Sequence, residues 1–142
     1  GEGGGIRCKI VSYNVLAETH EEKTTHGLDP SIASFSSRCM KIADELASWD
    51  ADIICLQEVD HFDDFYRPLL EQRGYSGVFQ KRPNEKIDGC ATFWRDSLFT
   101  LHSVRKLDLH LSPLFDRDNV ALLVKLAPKD QATPPATPEH TP

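Results

Sequence analysis

Over residues 34–49 the apolar side chains fall at Phe35, Cys39, Ile42, Leu46 and Trp49, at intervals of four, three, four and three. That spacing lines one face of a helix. Before it, IRCKIVSY (residues 6–13) alternates apolar positions and is rich in β-branched and aromatic side chains, which predicts a strand ending near Asn14. After it, DIICLQ (52–57) is a short apolar run suited to a strand buried on both faces. Strand, helix and strand in this order predict a βαβ unit with parallel strands and a right-handed crossover. The stretch HFDDFYRPLLEQRGY (61–75) places Phe62, Phe65, Tyr66, Leu69 and Leu70 at helical spacing. Pro68 is expected to kink this helix or to open its second part, and Gly74 to take the left-handed position after its end. Four further runs, at 75–79, 90–94, 99–107 and 119–126, read as strands between polar or proline-containing turns. The predicted class is therefore α/β.

Beyond residue 126 the pattern stops. APKDQATPPATPEHTP (127–142) holds five of the nine prolines and no large apolar residue, so an extended, disordered tail is expected. GEGGG (1–5) reads as a flexible leader, leaving 6–126 as one folded unit without internal repeats. The chain has 142 residues, enough for one modest domain with a single core. A formal charge of −6 argues against broad nucleic-acid binding through a basic surface, but leaves room for a local pocket around a phosphate. An anionic substrate would then need help from a cation. Cys8, Cys39, Cys55 and Cys90 form no C-x-x-C pair and read as buried, reduced thiols. With no signal peptide and no run of about 18 apolar residues, a soluble, cytoplasmic protein is expected. The first residue is Gly rather than Met, so nuclear or organellar targeting by a preceding segment stays open.

Parallel neighbouring strands lie about 4.8 Å apart with their carboxyl ends at one edge of the sheet. Asn14 ends the first predicted strand and Glu58 the second, and ligands of α/β sheets gather at such edges. An amide oxygen and a carboxylate facing one point would begin a Mg²⁺ site, since Mg²⁺ keeps several waters and takes only one or two carboxylates. The same residue types also serve as solvated turn and cap residues, and the pattern alone does not separate the two readings. Asp60, His61, Asp63 and Asp64 have metal-binding side chains too. They stand at a predicted helix start, however, where Asp60 is expected to cap exposed N–H groups and the other acids to meet the positive end of the dipole. Lys81 and Arg82 leave a strand for a proline-containing loop from which a cation can reach a phosphate, although such residues are also often merely solvated. Gly89 permits close approach of a backbone or a ligand.

These stretches together resemble the endonuclease/exonuclease/phosphatase superfamily, in the branch containing nocturnin and the carbon-catabolite-repressor deadenylases. The resemblance is carried by VSYNVLA (11–17), SSRCMKIADEL (36–46), ADIICLQEVDHFDDFYRPLLEQRGYSG (51–77), DGCATFW (88–94) and NVALLVKL (119–126). It implies a DNase I-like, four-layered α/β sandwich with mixed sheets, of which this chain would supply the amino-terminal half. It also implies Mg²⁺-dependent hydrolysis of a phosphoester by in-line attack of water. Glu58 would be the metal-binding glutamate and Asn14 the active-site asparagine beside metal and phosphate. Lys81 looks like the basic residue that contacts substrate phosphate, with an alignment uncertain by one against Arg82. Asp88 and Gly89 match the pair that shapes the site ahead of an inner strand. The implied substrate is an RNA 3′ end such as poly(A), or a phosphorylated nucleotide: NADP(H), as in nocturnin, or 2′,5′-oligoadenylate.

The departure from the family pattern is large. Its enzymes continue past NVALLVKL with an Asp-x-Asn motif, a further aspartate and a histidine in a Ser-Asp-His setting, and none of these occurs here; His110 and His140 lack the surrounding motif. Two expectations follow. These residues are either the amino-terminal half of a Mg²⁺-dependent exoribonuclease, deadenylase-like, or nocturnin-like phosphatase, or they form a catalytically inactive half-domain that acts as a binding or regulatory module.

Overall fold

In the computed structural model, residues 7–20, 27, 29–109 and 117–129 are described. Alternating apolar positions place β1 at Ile10–Asn14, and a short helix α1 (Pro30–Ala33), which the sequence pattern did not announce, precedes the amphipathic helix α2 (Phe35–Trp49). Phe35, Ile42 and Leu46 on the predicted face of α2 are buried, with Cys39 and Trp49 packed against them. The helix stops at Asp50, which takes the left-handed conformation at φ 45°, and the chain turns into β2 (Ile53–Val59).

β1 and β2 pair in parallel, with Ile10 opposite Ile53 and Asn14 opposite Gln57, as the βαβ reading required. β2 is fully buried on one face only. Ile54 and Leu56 are sealed against the helices, whereas Ile53, Cys55 and Gln57 on the other face are half-buried. The physical reason lies in where the second sheet sits. β3 (Tyr75–Lys81) and β4 (Gly89–Arg95) complete a four-stranded mixed sheet in the order β1-β2-β4-β3, while β5 (Phe99–Asp108) and β6 (Val120–Pro128) form a separate antiparallel pair. β6 lies against β3 and β4, which leaves the far face of β2 partly open. The result is the expected α/β arrangement of a helix layer, a mixed sheet and part of a second sheet. β6 extends to Pro128, two residues past the expected end of the folded unit. The predicted leader through Gly5 and tail beyond Lys129, including His140, lie outside the described residues, as does His110.

The segment after β2 is helical in two pieces. Residues Phe62–Tyr66 form a single wide π turn, with the Tyr66 N–H bonded to the His61 carbonyl at 3.0 Å. Helix α3 (Arg67–Glu71) follows with Pro68 in its first turn. A proline ring clashes with the carbonyl four residues earlier in a regular helix, and it has no N–H to satisfy in a first turn. Widening the preceding turn and restarting the helix resolves both. Gly74 then takes the left-handed φ of 82° expected of it.

None of the four cysteines is in a disulfide, but Cys8 is exposed and the other three only half-buried; for Cys55 and Cys90 the reason is the incompletely covered face of β2 and β4. Among the described residues no helix is long and apolar enough to cross a membrane. Among the described residues, two buried polar atoms lack a hydrogen-bond partner, the Tyr66 hydroxyl and Gln80 Oε1. Tyr66 is completely buried, yet its hydroxyl has no hydrogen-bond partner, and burial raises its pKa well above the usual phenol range. Removing an unsatisfied buried hydroxyl while keeping the ring recovers its desolvation cost. Tyr66→Phe is therefore expected to stabilise the fold by about 1 kcal/mol, read as a rise of a few degrees in the melting temperature. A lower melting temperature would show that the hydroxyl is satisfied in solution.

Candidate active site at the carboxyl ends of β1 and β2

The parallel register delivers Asn14 and Glu58 to one place. The Asn14 side chain donates its Nδ2–H to Glu58 Oε1 at 2.8 Å. Glu58 occupies an irregularity in the β2–β4 register between Leu56 and Val59 and has φ 55°, a left-handed conformation that non-glycine residues seldom adopt. A bulge of this kind re-aims a side chain relative to its strand.

The loop after β1 is tied down from both sides. Its N–H groups go to side chains of the strands: Leu16 N–H to Asn14 Oδ1 at 2.9 Å, Ala17 N–H to Glu58 Oε2 at 3.3 Å, and Glu18 N–H to Asp60 Oδ2 at 2.8 Å. Its carbonyls go to Arg38 on α2, whose two terminal nitrogens each donate to one of Val15 O and Leu16 O at 2.9 Å. This network corrects one expectation. Asn14 was expected to present an oxygen beside the carboxylate, but Oδ1 is engaged by Leu16 N–H, so the amide turns its N–H toward Glu58. Asn14 thereby orients the carboxylate. A carboxylate has about four lone-pair sites, and the two hydrogen bonds to Glu58 leave the others available.

Asp60 is likewise not the helix cap that its position suggested. The π turn starts one residue later, with His61 at the cap position and no side-chain capping bond, and Asp60 is turned instead onto the loop after β1. Burial raises the Asp60 pKa, opposed by the Glu18 N–H and the neighbouring His61. Glu18, Asp60 and His61 bring one potential ligand atom each within 4.8 Å of one another. His61 stacks on Phe35, with ring centroids 3.9 Å apart, and its Nδ1 meets Asp64 Oδ2 at 2.8 Å. Burial lowers the His61 pKa, but hydrogen bonds to Asp64 and Glu18 and the charges of Asp60 and Asp64 outweigh it, and the net shift is upward. Asp63 forms a surface ion pair with Arg67 one helical turn on.

Lys81 and Arg82 are separated by strand alternation. Gln80 is buried, Lys81 exposed and Arg82 half-buried. Lys81 Nζ bends back to Arg82 O at 2.9 Å and Asn84 O at 3.4 Å, so it does not reach Glu58's surroundings. Arg82 instead lines a cavity of about 470 Å³ together with Glu58, Gln57, Asp88 and Gly89. Asp88 is only 2% exposed and takes Arg82 Nη1 on both carboxylate oxygens, at 3.2 and 3.3 Å. Arg82 also donates from Nε to Asp118 O at 3.1 Å and from Nη2 to Arg117 O. Gly89 admits the neighbouring strand, for a Cβ there would stand 2.0 Å from Gln80 O. His20 and Asn119 line the same cavity and were not identified from the sequence. Asn119 opens a stretch read as a strand and as part of the family resemblance but given no role at the site, and nothing in the pattern marks His20.

Residues 11–139 match the model of the Endonuclease/Exonuclease/phosphatase family. Two curated relatives and two solved structures show what the chain is similar to. Protein angel homolog 2 from Bos taurus is 38% identical over 135 residues, covering 89% of this chain and 25% of its own length. The solved structure of ANGEL2, described as a 2′,3′-cyclic phosphatase in complex with adenosine-2′,3′-vanadate, matches with a TM-score of 0.78 at 37% identity, covering 86% of this chain and 37% of its own. The CCR4-Not complex 3′-5′-exoribonuclease subunit Ccr4 of Schizosaccharomyces pombe is 36% identical over 129 residues, covering 82% of this chain and 19% of its own length. The human Nocturnin catalytic domain with bound sulfate matches with a TM-score of 0.70 at 28% identity, covering 87% of this chain and 45% of its own. The chain thus spans a quarter or less of these two curated relatives.

Proposed function

Since the chain belongs to the Endonuclease/Exonuclease/phosphatase family, we propose that it contributes the Glu58 half of a Mg²⁺-dependent phosphoester hydrolase acting on RNA 3′ ends. The observation that carries this reading is the Asn14–Glu58 pair at 2.8 Å, which fixes a carboxylate at the wall of a cavity. The donor set fits a hard divalent cation: an oxygen ligand with lone pairs to spare, oriented from two sides by N–H groups. Glu58 would hold the ion, which when bound neutralises phosphate oxygens and activates water. Asn14 and the Ala17 N–H keep the carboxylate from rotating, the Arg82–Asp88 pair stiffens the opposite wall, and Gly89 keeps β4 close enough to β3 for that wall to form. The substrate class is supported by two relatives, a 3′-5′-exoribonuclease and a 2′,3′-cyclic phosphatase. One description names RNA degraded from 3′ to 5′, the other a phosphate on the 2′ and 3′ oxygens of an adenosine.

One observation favours a second reading for this polypeptide. Of the two carboxylates that line the cavity among the described residues, Asp88 is already paired with Arg82, and Glu58 cannot both hold a cation and take a proton from water. A chain of this kind would bind RNA ends in a Mg²⁺-dependent way without cleaving them. Both readings are tested by incubating the protein with 5′-labelled oligo(A) bearing either a 3′-hydroxyl or a 2′,3′-cyclic phosphate, in Mg²⁺ or in EDTA. Mg²⁺-dependent shortening or opening of the cyclic phosphate supports the hydrolase, and Mg²⁺-dependent binding without product supports the binding module. Binding and product indifferent to EDTA, or absent, would remove both.

A further inference from the structure

We infer that Glu18, Asp60 and His61 form a second cation site, built for a transition-metal ion of the Zn²⁺ type and separate from the Glu58 carboxylate. Such a site is independent of the phosphoester reading. Two contacts fix the His61 ring. Its face stacks on Phe35 with centroids 3.9 Å apart and planes 10° apart, and its Nδ1 lies 2.8 Å from Asp64 Oδ2. That bond holds the Asp64 carboxyl below the usual carboxylate range, and an ionised carboxylate only accepts, so the hydrogen sits on Nδ1. In the neutral ring the lone pair of Nε2 then faces two carboxylate oxygens, Glu18 Oε2 at 3.4 Å and Asp60 Oδ1 at 4.0 Å. Three acceptors converging on one point repel one another unless positive charge stands between them. A proton on Nε2 serves them poorly, because both oxygens lie beyond about 3.2 Å, the usual limit of an N–H···O bond. An ion about 2.0–2.1 Å from each atom serves them well, for tetrahedral ligands then stand about 3.3 Å apart. His61 and Glu18 already have that spacing, and the Glu18 side chain, 45% exposed, can adjust. Asp60 gives a separate reason. Its side chain is only 2% exposed, and among the described residues His61 is its only ion-pair partner. Buried carboxylates are otherwise paired or ligate a metal. Its Oδ2 accepts the Glu18 N–H at 2.8 Å, which ties the two acids together. An imidazole between carboxylates suits Zn²⁺ and its neighbours, whereas Mg²⁺ prefers oxygen alone. Asp64 stands where a carboxylate behind a metal-bound histidine fixes tautomer and ring orientation. The ion would clamp the loop after β1 to the chain leaving β2.

The test titrates ZnCl₂ into the full chain, freed of metal with EDTA and dialysed into excess MgCl₂ at about pH 8, where a proton competes less for the imidazole. Calorimetry gives the affinity. NMR follows the histidine ring signals, with that of His61 identified by its absence in His61→Gln. The expected result is a Zn²⁺ ion that moves the His61 signal and binds Glu58→Ala as tightly as the parent. Its affinity should fall about tenfold in Asp64→Asn, the scale for losing the carboxylate behind a ligating histidine. Glu18→Gln, which removes a ligand, should bind more weakly still, and because that side chain is exposed its circular dichroism should match the parent's. If the His61 signal stays in place, if Glu18→Gln binds Zn²⁺ as tightly as the parent, or if Glu58→Ala loses the ion, these residues do not form the site. Each of those results leaves the phosphoester reading to its own assay on oligo(A).

Discussion

Glu58→Ala is expected to abolish Mg²⁺-dependent handling of RNA ends while leaving the fold in place. Where the parent cleaves, the EDTA-sensitive rate should fall by at least about a hundredfold, the scale on which a site loses its metal or its charge stabilisation. Where the parent only binds, the Mg²⁺-dependent part of oligo(A) affinity should vanish. The structural cost is small by comparison. The carboxylate accepts hydrogen bonds from Asn14 Nδ2 and Ala17 N–H at the rim of the sheet, together worth about 1–3 kcal/mol. Alanine suffers the same backbone strain at φ 55° as glutamate does. Glu58→Gly relieves that strain, by about 1–2 kcal/mol, and is expected to melt above Glu58→Ala with equally little activity. Should Glu58→Ala retain its metal response, the cation is held elsewhere.

Gly89→Ala is expected to have the largest effect on stability. The added methyl would meet Gln80 O at 2.0 Å and Gln80 C and Lys81 Cα at 2.8 Å, all backbone atoms of the paired strand. No side-chain rotation relieves such a contact. Relief requires β3 and β4 to separate at the Lys81–Gly89 pair, where Arg82 N–H also bonds to Asp88 O at 2.9 Å. Overpacking against a main chain that cannot move costs upwards of about 3 kcal/mol, a large part of the stability of a small domain. Urea unfolding of parent and variant measures the loss directly. Because Gly89 also lines the cavity, any folded fraction should bind Mg²⁺ and nucleotide more weakly. A midpoint close to that of the parent would mean that the strands are less tightly apposed than described.

Much of the scaffold was legible because periodicity is a local signal. The four-three spacing along α2 and the apolar runs on either side of it were enough to derive two parallel strands and, from them, the meeting of Asn14 with Glu58. Details that depend on partners distant in sequence were not. The amide of Asn14 donates to Glu58 across the two strands, and Asp60 is claimed by the N–H of Glu18, so neither role is written in the spacing of the acidic residues. The choice between Lys81 and Arg82 was legible only in part. Alternation puts Phe79 and Lys81 on one side of β3's continuation and Gln80 and Arg82 on the other, but only the burial of Gln80 tells which side turns inward. The bulge at Glu58 and the place of His20 had no such signature, since each follows from how a loop is packed in three dimensions.

The clasp around residues 15–18 bears on the order in which the molecule assembles. Apart from the local Leu16 N–H bond to Asn14, its backbone groups are satisfied by Arg38 from the helix and by Glu58 and Asp60 after the second strand, so these bonds require helix and strands to have docked. The corner that carries Glu58 is thus expected to be among the last parts to form during refolding. A cation captured there, as proposed for Glu58, would act as a brake on unfolding rather than as a nucleus for collapse.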